Sequence, residues 1–62
     1  MTAPAEDRIR QLRHDLSNPL SAILAETQLL LLRQEELDQE TVTSLKEIEA
    51  LSRRMREILQ KH

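Results

Sequence analysis

Apolar side chains recur along the chain in steps of three and four. Over about residues 5–33 they stand at Ile9, Leu12, Leu16, Leu20, Ile23, Leu24, Leu30 and Leu31, with Thr27 in the same series. That spacing is one stripe of an α-helix. Two consecutive steps of four, 12–16–20, break the strict heptad next to Pro19. Periodicity fades at about residues 34–38, which predicts a turn. Asp38 suits an N-cap, since its carboxylate can accept from free amides of the next turn, and Glu40 then suits the positive end of the helix dipole. A second helix follows over about 39–60. Its stripe is Ser44, Ile48, Leu51, Met55 and Ile58, in steps of four and three, flanked by Val42, Leu45 and Leu59. This is a heptad seam, and Met55 is read as core packing. Glu49–Arg53 and Glu57–Lys61 have the i,i+4 spacing of favourable pairs outside it.

Two amphipathic helices with a short connection predict an antiparallel hairpin. Residues 1–62 are read as one domain, entered by a short polar lead-in with Pro4 at a first-turn position. A chain this short rarely holds a core of more than about 3–5 kcal/mol without a staple. It has no cysteine, so disulfides and thiolate metal sites are excluded. Its two histidines, His14 and His62, are too far apart to read as a metal motif. Oligomerisation is the remaining staple. The expected fold is all-α: an antiparallel two-helix hairpin that homodimerises into a four-helix bundle.

Composition narrows the function. Without glycine the chain cannot build a phosphate-cradling Gly-rich loop. Without Phe, Tyr or Trp it has no base-stacking platform, and a net charge of −2 does not suggest a nucleic-acid partner. The longest apolar run, Leu29 to Leu32, is far below the ~18 residues of a membrane span. The N-terminus has neither the basic nor the apolar region of a signal peptide. A cytoplasmic location, with no membrane contact by this segment, is expected.

At about 100° per residue, Leu12, Leu16, Ile23, Thr27 and Leu30 fall roughly 160–220° from His14. His14 therefore points away from the main stripe, with Asn18, Ser21 and Ala25 on its own face. A carboxylate beside an imidazole, here Asp15, can fix its tautomer and stabilise the charged ring. The Asn18 amide can orient a water or a phosphoryl oxygen. Pro19 removes the hydrogen-bond partner of the Asp15 carbonyl and biases Asn18 away from helical angles, which suggests a bend serving His14. A lone surface histidine on a coiled coil is ordinary; this histidine has an acid, an amide and a proline in register.

The run His14-Asp15-Leu16-Ser17-Asn18-Pro19-Leu20 resembles the H-box of two-component histidine kinases, commonly written His-Glu/Asp-Leu-X-Thr/Asn-Pro-Leu. The resemblance extends over the rest of the chain, to the dimerisation and phosphoacceptor domain of that family. It implies that His14 is the phosphoacceptor and that Asp15 assists its phosphorylation. It implies that Asn18 stands where many members help a water remove phosphate from the regulator, and that Pro19 is the bend proline. Arg13 replaces the serine common in the family. Ser21, Ala22, Ala25 and Glu26 fall where the family docks its response regulator. The resemblance further implies a homodimer and a receiver-domain partner. No cofactor is expected in this chain, because ATP and Mg belong to a separate catalytic domain of the same parent protein. A stand-alone phosphotransferase of a phosphorelay and a purely structural dimeric helical linker are the alternatives.

Two surface features stay open at this level. Arg8, Arg10 and Arg13, with Arg53, Arg54, Arg56 and Lys61 of the second helix, form a basic collar around His14, whereas acids gather at the turn. The collar can attract ATP phosphates or an acidic regulator pocket, or simply suit a helix C-terminus. Leu29 and Leu32 lie within roughly 60° of His14's face; they are expected to line a splayed end of the bundle core, with regulator contact as the other reading. His62 is terminal and is given no role.

Overall fold

The computed structural model describes residues 4–61 as two helices joined by a tight connection. Helix α1 runs Pro4–Leu31 and helix α2 runs Gln39–Lys61, with a single 3₁₀ turn at Gln34–Glu36 between them. Residues 1–3 of the polar lead-in and His62 lie outside the described residues. The two helices pack along their length as a hairpin about 53 × 14 × 11 Å in extent.

Local chemistry explains both helix starts. Pro4 opens α1, where its missing N–H costs nothing and its fixed φ suits the first turn. Glu6 and Asp7 follow in that turn, beside the positive end of the dipole. At α2 the Thr41 N–H donates to Asp38 Oδ1 at 3.1 Å, and the Val42 N–H donates to the Asp38 carbonyl at 3.1 Å. The Thr41 side chain and the Thr41 N–H together hold the Asp38 carboxyl below its ordinary pKa. A carboxylate lowered on folding stabilises the fold above its unfolded pKa, and that contribution is lost as pH falls through the lowered folded value. Asp38→Ala is therefore expected to lower the melting temperature by a few degrees at neutral pH, and the gap should close in acid well below pH ~4. Asp38→Asn, still a good cap, should melt like the original at neutral pH. Thermal melts of the three chains across pH check this.

The turn adds Arg33 Nε donating to Glu36 Oε2 at 2.9 Å, a pair the sequence pattern did not single out. Arg53 donates to Glu49 at 3.5 Å, as its spacing suggests. Glu57 and Lys61 form no ion pair among the described residues.

The hairpin does not close on the stripe richest in leucine and isoleucine. Its interior is lined by Arg13, Ser17, Leu20, Leu24, Thr27 and Leu31 of α1, in steps of four and three, and by Val42, Leu45, Glu49, Ser52 and Leu59 of α2. Among the described residues only Leu20, Leu24 and Val42 are buried apolar ones, with Thr27 and Ser52 buried among them. Thr27 is accommodated because its hydroxyl donates to the Ile23 carbonyl at 2.7 Å. Ile9, Leu12, Leu16, Ile23 and Leu30 of α1 and Ile48, Leu51, Met55 and Ile58 of α2 are instead between 41 % and 58 % exposed. Each helix thus carries two adjacent stripes, one facing its hairpin partner and one left open. Met55 belongs to the open one.

Leu29 and Leu32 do not enter the hairpin seam: they are 56 % and 81 % exposed in the single hairpin. They sit on His14's side of α1, roughly 60° and 0° around from it, whereas the hairpin seam lies about 100° away. Arg13 also departs from the exposed collar. It occupies a seam position beside Ile58 and Leu59, and its Nε is buried without a hydrogen-bond partner.

Candidate functional site

Helix α1 continues through Asn18 and Pro19. The proline's bias against a helical Asn18 is overridden by the turns on either side and by packing of Leu20 and Leu24. The covalent consequence of Pro19 remains: no N–H stands one turn after Asp15 to receive its carbonyl.

His14 projects from this helix into solvent. Its side chain is 70 % exposed and that of Asp15 61 % exposed. His14 Nδ1 faces Asp15 Oδ1 at 3.7 Å, longer than a hydrogen bond but close enough for direct electrostatic interaction. With Nδ1 turned to the carboxylate, Nε2 is the outward nitrogen. The same Oδ1 accepts a hydrogen bond at 2.9 Å from Gln11 Nε2, a residue the sequence pattern did not mark. The i,i+4 spacing of Gln and Asp was the available signal. Asp7, Arg10, Gln11 and His14 line one shallow hollow on this face. Of the basic collar, Arg10 shares the hollow with His14, while Arg13 turns into the seam.

Asn18 is exposed one turn below His14, roughly 40° around the helix. Ser21 and Ala25 continue the same face, exposed and small. Ala22 and Glu26 are exposed as well but lie roughly 80° and 120° around, on the side away from α2. The arrangement presents an unhindered imidazole with a carboxylate at one nitrogen, above a smooth helical surface. Chemically it offers an exposed nitrogen nucleophile and a neighbouring proton acceptor.

Among the described residues no group of three His, Cys, Asp or Glu side chains converges to hold a metal ion. No described helix is long and apolar enough to cross a membrane.

No curated protein and no solved structure matches the chain. A family model does: the His Kinase A (phospho-acceptor) domain, over residues 6–61. That span takes in the H-box run, the turn and all of α2. The chain belongs to the His Kinase A phosphoacceptor domain family, the helical phosphoacceptor module of histidine kinases in two-component signalling.

Proposed function

We propose that this chain is the dimerisation and phosphoacceptor domain of a sensor histidine kinase, and that His14 is the residue that carries phosphate. The observation that carries the proposal is the exposed His14 with Nδ1 turned to Asp15 and Nε2 outward, in a chain of the phosphoacceptor family. ATP is held by a separate catalytic domain, which also supplies the nucleotide's magnesium. The Nε2 lone pair attacks the γ-phosphorus. The N–P bond forms as the bond to the bridging oxygen breaks, and that oxygen leaves with its electron pair on ADP. The Nδ1 proton passes to Asp15 and then to solvent. In the second step a carboxylate oxygen of a receiver-domain aspartate attacks the phosphorus, the N–P bond breaks, and the imidazole regains its proton.

The receiver domain docks below His14 over Ser21, Ala22, Ala25 and Glu26, where the small side chains of Ser21, Ala22 and Ala25 allow close approach. Asn18 orients a water when the regulator loses its phosphate. A second copy of the chain covers the open apolar stripe, giving a four-helix bundle with both His14 residues on its outside. Use of ATP places the domain in the cytoplasm.

The test combines the purified chain, the catalytic domain of its parent protein and ATP labelled in the γ-phosphate. Label that is acid-labile, base-stable and mapped to the peptide containing His14 supports the proposal. Acid-stable label, or label elsewhere, rejects it. In the same assay Asp15→Asn keeps the size of the side chain but cannot take the Nδ1 proton. General base assistance is worth about 10²–10⁴-fold. The initial rate is expected to fall by about 10²-fold, at the lower end because Asp15 is largely exposed to water. A rate within twofold of the original removes Asp15 from the chemistry.

A further inference from the structure

We propose that Gln11 is a positioning residue for phosphoryl transfer, holding the Asp15 carboxylate against Nδ1 of His14; this rests on His14 being the phosphoacceptor. Gln11 Nε2 donates to Asp15 Oδ1 at 2.9 Å, and that same oxygen is the one 3.7 Å from Nδ1. At 3.7 Å the imidazole does not fix the carboxylate by itself. The bond from Gln11 is the one side-chain hydrogen bond that Asp15 makes among the described residues.

The helix explains why a third residue is needed. Consecutive residues such as His14 and Asp15 diverge by about 100° around the cylinder. An exposed aspartate samples several staggered rotamers, and only some bring its oxygen near Nδ1. Gln11 stands one turn earlier, roughly 60° around from His14 and so between the two side chains. Side chains on a helix lean toward its N-terminus, so Asp15 leans toward Gln11. The amide then holds Oδ1 on the His14 side. A neutral donor does this without the opposing charge that Lys or Arg would bring. The consequence is a tautomer preference. An oxygen kept near Nδ1 favours the proton on Nδ1, which leaves the Nε2 lone pair free for attack.

Gln11→Ala removes the donor at an exposed position and keeps the helix. Two measurements on the intact chain test the role. Nitrogen NMR of the two imidazole nitrogens reads the His14 tautomer directly. The initial rate of labelling with the catalytic domain and ATP reads the chemistry. The neutral ring is expected to shift toward the Nε2–H form in Gln11→Ala. The labelling rate should fall by about tenfold, part of the range for general base assistance, with the KM for ATP unchanged. Gln11→Lys, which restores a donor at the same spacing, should recover the Nδ1–H tautomer. Wild-type tautomer populations in Gln11→Ala overturn the inference, as does an unchanged rate when His14 is demonstrably labelled. If label proves not to lie on His14, the functional reading fails by itself, and the tautomer measurement still decides whether Gln11 orders Asp15 against the ring.

Discussion

His14→Gln is expected to reduce labelling of the chain from ATP to background while leaving its fold unchanged. Glutamine is close to histidine in reach and keeps a polar group in water, but its amide nitrogen has no free lone pair for attack on phosphorus. Loss of the nucleophile therefore removes the whole transfer, whereas loss of Asp15 or Gln11 only slows it. The structural cost should be small because 70 % of the His14 side chain is exposed and it faces neither apolar stripe. Surface substitutions of this kind stay within about 0.5 kcal/mol. The measurement pairs a labelling time course with a thermal melt. Background labelling with an unchanged melt is the expected result. Labelling at the original rate would falsify the phosphoacceptor assignment. The only other histidine is His62, so His62→Gln serves as the control and should label normally.

The helices, the turn and the outward face of His14 were legible because each depends on residues close in sequence. Asp38 caps α2 through an amide three residues on, and the direction of His14 follows from helical period alone. Which stripe closes the hairpin was not legible in the same way. The stripe through Leu12, Leu16, Ile23 and Leu30 has the larger apolar side chains, yet the chain folds on the one through Arg13, Ser17, Leu20, Leu24 and Thr27. A hydrophobic count ranks the faces of one helix; it does not say which face meets which partner. In the proposed four-helix bundle each helix has two neighbours and needs two adjacent stripes. The buried polar residues of the inner seam, Thr27 and Ser52, are small enough to let the helices approach. The absence of Leu29 and Leu32 from the hairpin seam has a related reason: a run of four leucines covers every side of the helix, so apolar character alone could not assign them. The Gln11–Asp15 bond depends on rotamers of two exposed side chains, which the pattern of apolar positions does not report.

If a second copy covers the open stripe as proposed, Ile23→Glu combined with Leu51→Glu is expected to leave the chain monomeric and to remove much of its helical structure. Both residues line the same apolar hollow with Leu16, Pro19, Ile48 and Met55, and they are 51 % and 56 % exposed in the single hairpin. Full burial of such a side chain contributes about 1.5–3 kcal/mol, and a dimer loses each contribution twice. The substitution also forces four carboxylates toward one interface, where burial without partners costs more still. The buried apolar residues of the single hairpin, Leu20, Leu24 and Val42 among the described residues, offer little to set against that loss. Sedimentation equilibrium should report twice the chain mass for the original and once for the double variant. The far-ultraviolet circular dichroism of the variant should fall and become independent of concentration. Leu32→Glu separates this from a general effect of added charge. Leu32 is the most exposed large apolar side chain among the described residues, at 81 %, and stands roughly opposite the open stripe, so its variant should remain dimeric and helical. An original chain that sediments as a monomer, or a Leu32→Glu chain that dissociates as readily as the double variant, overturns the assignment of this stripe to a second copy.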